Sequence, residues 1–171
     1  IVVRNAKKGE KILALDNKEY ALDEEMLVIA DEQMPVAVAG VIGGDTTSVS
    51  ESTKNIFIEA ACFEPVSVRK TSKKLVISTD SSQRFIRGID AENVSNIAIL
   101  AAQMIKKICG GEIVEDIVDI YPNPQGTVKI ELDINRVNKI LGTEISIDEI
   151  QSILSRLGFS FYLLPSTLYL S

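Results

Sequence analysis

The chain has 171 residues, 46% hydrophobic and 25% charged, with a formal net charge of −6, a balance that fits one large or two small globular domains and excludes intrinsic disorder. No apolar run approaches the roughly 20 residues of a membrane-spanning helix, and Ile1-Val2-Val3-Arg4 lacks the layout of a signal peptide, so the expected location is cytoplasmic, with no membrane partner. The absence of histidine excludes a Ser-His-Asp triad and a His-based zinc site built from these residues alone, which leaves carboxylates, hydroxyls and backbone amides to carry any chemistry.

In chain order, the opening without a start methionine reads as a cut from something longer. Ile1–Arg4, Lys11–Leu15, Tyr20–Leu22, Met26–Ala30 and Pro35–Ala39 are short apolar runs divided by turn residues, which predicts strands. Gly40, Gly43 and Gly44 form a turn toward an alternating segment, Asn55–Ala60, expected as the next strand. Pro65 opens a helix through Leu75 with Glu64 at its positive end, and Ile77–Ser82 reads as a polar loop. Asp90 caps a longer helix, with apolar residues at three and four residue spacing from Val94 to Ile108, stopped by Gly110-Gly111. Ile113–Ile120 reads as a strand.

The two prolines and the glycine between Tyr121 and Gly126 mark the best linker. Domains are therefore expected at residues 1–122 and 128–171, joined by 123–127. In the second, Val128–Leu132 predicts a strand, Asp133 caps a helix through Leu141 that Gly142 stops, and Ser146 with Glu149 boxes a helix ending at Leu157-Gly158. Phe159–Leu164 and Leu168–Leu170 pair around Pro165-Ser166-Thr167. The expected class is α+β: a mixed or antiparallel, β-rich first domain, then a small winged-helix-like domain. With four basic and five acidic residues, that second domain reads as a packing or interaction module ahead of a DNA reader.

Cys62 and Cys109 are expected as two buried free thiols, without a disulfide or a metal site. The glycine pattern fits neither a dinucleotide nor a phosphate loop and by itself reads as a tight turn. Glu59 by itself reads as a solvated outer-face carboxylate. Thr79 to Gly88 packs hydroxyls, one carboxylate and two guanidiniums together, which suits a polar-ligand or anion site and equally suits an ion-pair network of Asp80 with Arg84 or Arg87. From Arg69 to Arg87 six basic residues face one acid, a local +5 in a chain of net −6, so the remainder carries −11. That run can meet phosphates, although no aromatic residue among them offers a stacking platform.

Taken together, Pro35 to Gly44, Ile58 to Ser67 and Ser78 to Asp90 resemble, in order and spacing, successive motifs of the central domain of the bacterial-type phenylalanyl-tRNA synthetase β-subunit family. Val128 to Phe159 is similar to the domain that follows it. The resemblance implies a fragment carrying an N-terminally truncated tRNA-editing domain and a C-terminally truncated small domain. It implies post-transfer editing, in which tyrosine wrongly joined to the phenylalanine tRNA is hydrolysed. Glu59 would then bind the tyrosine hydroxyl, Gly40 and Gly43 would line the pocket, and Thr79 and Ser81 would border the reacting ester as catalytic residues. Position 81 is commonly alanine in the family and is serine here. Arg69, Lys70, Lys73 and Arg84 become tRNA-contact candidates.

The resemblance further implies a histidine motif upstream of Ile1, so that the fragment alone is a poor editing enzyme. It places aminoacylation, which uses ATP and magnesium, with an α subunit in an α2β2 heterotetramer. No cofactor or metal is expected within this chain. The alternatives are a non-catalytic RNA-binding or scaffold module that has lost editing and, far behind, a small-molecule-binding protein unrelated to translation.

Overall fold

Short alternating runs form six strands, β1 (Val2–Asn5), β2 (Lys11–Leu13), β3 (Glu19–Ala21), β4 (Leu27–Ala30), β5 (Pro35–Val38) and β6 (Ile42–Gly43). The computed structural model describes residues 1–114, 117–124, 126, 128–164 and 167–170. One antiparallel sheet has the order β1-β4-β5-β6, and β2 pairs with β3 as a separate hairpin. The central strand β4 buries Val28, Ile29 and Ala30 in succession, which requires cover on both of its faces. An Ala14–Gly44 bridge brings the hairpin to the sheet. At Gly44 a Cβ would lie 2.6 Å from the Val36 carbonyl oxygen, so only glycine permits that approach.

Three helices follow, α1 (Pro65–Leu75), α2 (Asp80–Arg87) and α3 (Val94–Cys109), the last preceded by a 3-10 turn at Ala91–Asn93 that Asp90 caps. The Glu64 carboxylate accepts from the Val66 and Ser67 amides, neutralising orphan donors at the start of α1. That helix closes through Val76 in the left-handed region, φ 55° and ψ 40°, with Ile77 N–H donating to the Ser72 carbonyl, the pattern in which glycine is the usual residue. The core joins sheet and helices through Ile12, Leu22, Met26, Val28, Val38, Val41, Phe63, Val68 and Ile77.

The chain divides into compact units of residues 1–120 and 121–171. In the second, β7 (Ile130–Asp133), α4 (Ile134–Leu141), α5 (Ile147–Arg156), β8 (Phe161–Leu164) and β9 (Thr167–Leu170) place two helices before a hairpin, with sheet order β7-β9-β8. Asp133 and Ser146 cap the helices as their spacing predicts, and Ile134 and Ile150 anchor the small core. Both units are α+β.

Several expectations need correction. Asn55–Ala60 is not a strand: Ile56 and Phe57 are exposed and no neighbouring strand completes a ladder among the described residues, and alternation alone does not hold a strand without that partner. The glycine turn instead joins β5 to β6. For the same reason Ile113–Ile120 forms no strand at 113–114 or 117–120, with Val114, Val118 and Ile120 exposed, while 115 and 116 lie outside the described residues, as do Pro165 and Ser166 of the expected turn. Both cysteines are exposed, because Cys62 sits in the irregular 54–64 segment and Cys109 ends α3, which buries none of its residues. The expected polar loop at 77–82 becomes helix from Asp80 onward.

Two stability predictions follow from local geometry. Left-handed backbone costs a β-branched residue about 1–2 kcal/mol, and Val76 is 89% exposed, with little packing to lose, so Val76→Gly raises stability by about 1 kcal/mol in urea unfolding. Glu10 accepts from Arg4 at 2.7 and 2.9 Å, and the Arg4 hydrogen bonds hold its carboxyl at about 2 against an ordinary 4.5. A lowered folded value means that this stability is fully present above the ordinary value and is lost as pH falls toward about 2. Unfolding measured across that window shows a flatter pH dependence in Glu10→Gln than in the parent.

Candidate functional site

Thr79 occupies the N-cap of α2, and its hydroxyl works in two directions: Oγ1 accepts from Ser82 N–H at 3.0 Å and donates to the Val41 carbonyl at 2.6 Å. The second bond crosses from the start of α2 to the glycine turn. Ser81 adds a longer tie, its Oγ donating to the Gly40 carbonyl at 3.3 Å. Gly40 itself is buried with φ +69°, and a Cβ there would meet Phe63 at 2.9 Å, Val68 at 3.0 Å and Phe85 at 3.2 Å. Phe63 and Phe85 meet edge to face at 5.0 Å between centroids, a favoured aromatic geometry. One side of Gly40 is thus filled by apolar side chains of the 54–64 segment, α1 and α2, while its carbonyl turns to Ser81.

The structure therefore brings Gly40, Thr79 and Ser81 together. Gly43 lies in β6, with the space beside it closed by Leu15 at 3.0 Å, and no hydrogen bond joins it to Thr79 or Ser81 among the described residues. Glu59 lies in the irregular segment four residues before Phe63 and is exposed by surface area, without a hydrogen bond or ion pair among the described residues. The protein atoms around its carboxyl still remove enough water to push its pKa above the usual carboxylate range. This carboxyl is open to a hydroxyl-bearing ligand and partly desolvated by its neighbours.

At the head of α2, Ser82 and Gln83 amides are taken by Thr79. The amides of Asp80 and Ser81 have no partner among the described residues, as expected of a first helical turn. Two amides and nearby hydroxyls at a helix start can stabilise an oxyanion or orient a water. The expected Asp80–Arg84 or Asp80–Arg87 network is not formed among the described residues.

Of the basic run, Lys74 pairs with Asp23 at 2.6 Å and with Glu25 at 3.8 Å. Arg69, Lys70, Lys73, Arg84 and Arg87 are all exposed, with no acidic partner among the described residues. Arg69 and Lys73, one turn apart, share a face of α1. These are free cations of the kind phosphates attract.

Sequence reasoning missed Phe63, Phe85 and Ser82. The aromatics looked like ordinary apolar punctuation, and a serine four positions into a hydroxyl-rich stretch carried no signal beyond the Thr-x-x-Ser spacing, a variant of the capping box.

Residues 1–110 match the B3/4 domain family. The chain is 46% identical over 159 residues to the phenylalanine–tRNA ligase beta subunit of Carboxydothermus hydrogenoformans, 45% over 157 residues to that of Aquifex aeolicus, and 44% over 161 residues to that of Protochlamydia amoebophila. These alignments cover 92–94% of the chain and 20% of each relative, so the chain spans about a fifth of the relatives' length.

The two glycines behave differently under substitution. Gly40→Ala forces a side chain into the Phe63, Val68 and Phe85 contact at positive φ and destabilises the protein by about 1–3 kcal/mol. Gly43→Ala meets only the Leu15 side chain, itself 53% exposed, and costs clearly less in the same urea titration.

Proposed function

Because the chain belongs to the B3/4 domain family, we propose that it is a segment of a phenylalanine–tRNA ligase β subunit whose first unit serves post-transfer editing of tyrosyl-tRNA(Phe). The single observation that carries this reading is the joining of Thr79 and Ser81 to the Gly40–Val41 main chain: the family resemblance assigns Thr79 and Ser81 to the ester and Gly40 to the pocket wall. Support also comes from the free cations Arg69, Lys70, Lys73 and Arg84, exposed along α1 and α2 for the phosphates of tRNA.

The chemistry is ester hydrolysis without a protein nucleophile. A positioned water adds to the ester carbonyl, the resulting oxyanion is held by backbone amides, and the carbon–oxygen bond to the tRNA ribose breaks. One proton of the water passes to the departing ribose oxygen, which leaves as a hydroxyl, the other is released to solvent, and tyrosine leaves as its carboxylate. Selection for tyrosine falls to Glu59: a group that binds the phenol hydroxyl loses that bond with phenylalanine and so discriminates between them. Gly40, buried against Phe63, Val68 and Phe85, and Gly43, beside Leu15, shape the pocket wall through the main chain they hold in place.

Charging of tRNA with phenylalanine belongs to the whole complex with an α subunit, proposed as an α2β2 assembly in the cytoplasm. The family implies ATP and magnesium for that step. Among the described residues no group of three or more Cys, Asp or Glu side chains is placed to hold a metal, and no step is assigned to magnesium here. No helix of the described residues is long and apolar enough to cross a membrane.

A second reading, a scaffold or RNA-binding module without editing, is favoured by the Thr79 hydroxyl being already engaged on both sides and by the hydroxyl at Ser81. Deacylation of tyrosyl- and phenylalanyl-tRNA by the complete α/β enzyme separates the two. Editing predicts selective clearance of tyrosyl-tRNA, with Glu59→Ala slowing it about 10–100-fold, the worth of one hydrogen bond to a charged group. No clearance by the parent enzyme selects the scaffold reading, and unchanged clearance in Glu59→Ala moves tyrosine recognition elsewhere.

A further inference from the structure

Ser82 is fully buried, 0% exposed, and its hydroxyl grips Thr79 by the main chain: Oγ accepts from Thr79 N–H at 2.9 Å and donates to the Thr79 carbonyl at 3.0 Å. With Ser82 N–H donating to Thr79 Oγ1 at 3.0 Å, three hydrogen bonds join the pair. The two amide bonds, Thr79 N–H to Ser82 Oγ and Ser82 N–H to Thr79 Oγ1, make a capping box. The bond to the Thr79 carbonyl goes beyond it: with the Thr79 N–H bond it fixes the Thr79 main chain, while the amide bond to Oγ1 fixes its rotamer. What remains to the Thr79 hydroxyl is one proton, and it is directed at the Val41 carbonyl 2.6 Å away. Ser81, exposed and bonded to Gly40 at 3.3 Å, is the looser of the two ties between α2 and the glycine turn.

We propose that Ser82 is a positioning residue of the hydrolytic site, acting through Thr79 to hold the Gly40–Val41 main chain in register with the start of α2. The proposal rests on the editing reading given above. Ser82 touches no substrate. It sets where the Thr79 hydroxyl, the two free amides of α2 and the Gly40 carbonyl stand relative to one another. Ser72, also buried, donates instead to the Ile77 carbonyl and so serves the end of α1.

A double-mutant cycle in the complete α/β enzyme tests this, with tyrosyl-tRNA deacylation and thermal unfolding followed together for Ser82→Ala, Thr79→Val and the pair. The expected result is a fall of about tenfold in kcat for Ser82→Ala with KM within about twofold, because misplaced groups slow chemistry more than they weaken binding. On the Thr79→Val background Ser82→Ala then has no further effect on kcat, whereas on Thr79→Ser, which keeps the hydroxyl, it retains its full effect. Ser82→Cys, close in volume but a weaker hydrogen-bonding group, gives an intermediate kcat and keeps the test open should Ser82→Ala not assemble. Unchanged kcat in both Ser82 variants, additive losses in the double variant, or losses that merely follow the unfolding midpoint would overturn the role. A parent enzyme that clears no tyrosyl-tRNA removes the editing reading itself, and this role with it.

Discussion

The absence of a side chain at Gly40 is the constraint on which the first unit depends. Phe63, Val68 and Phe85 converge within 3.2 Å of where a Cβ would stand, and they come from three different parts of the chain: the irregular segment, α1 and α2. Each could pack on a sheet elsewhere, but their joint approach to one backbone position fixes the direction from which α1 and α2 meet the glycine turn. The carbonyls of Gly40 and Val41 are then presented to the head of α2, where Ser81 and Thr79 receive them. A packing requirement of the core thus sets the geometry of the polar cluster.

The same helices carry the charge asymmetry. Lys74, the cation nearest the acidic Asp23 and Glu25, is bound to them, and the remaining cations of α1 and α2 face solvent without partners among the described residues. In a chain of net −6 the five cations left unpaired on α1 and α2, Arg69, Lys70, Lys73, Arg84 and Arg87, give a directional field, which steers a polyanion toward their surface. The second unit lacks any such concentration. Its neatest feature is the cross-strand stack of Tyr162 on Tyr169, 5.1 Å apart at 9°, with the Glu131 charge raising the Tyr169 pKa.

Much of this was legible from residues alone wherever a local rule sufficed. Glu64-Pro65, Asp133 with Gly142, and Ser146 announced helix ends because caps and stops are matters of a few neighbouring atoms. Of the strands from Val2 to Val38, β2 with β3 and β4 with β5 have partners near in sequence, while β1 was readable as an apolar run although its partner β4 sets Ala30 opposite Val2. Asn55–Ala60 and Ile113–Ile120 were not, since alternation records a tendency that only a neighbouring strand converts into a ladder. At the site, the order of motifs marked Gly40, Thr79 and Ser81, but their union depends on bonds spanning 38 and 41 residues. Ser82 escaped notice because its importance lies in burial and in gripping another residue's main chain, neither of which composition displays.

Cys62 stands beside Phe63, the ring that closes on Gly40, and it is one of two cysteines in the chain, both open to solvent. A thiol-reactive fluorophore or spin label therefore has just two points of attachment. Cys109, at the last turn of α3, serves as the internal reference, and replacing it with serine leaves a single reporter one residue from the aromatic contact. Movement of the glycine turn against the helices is thus open to spectroscopic observation without introducing a foreign cysteine.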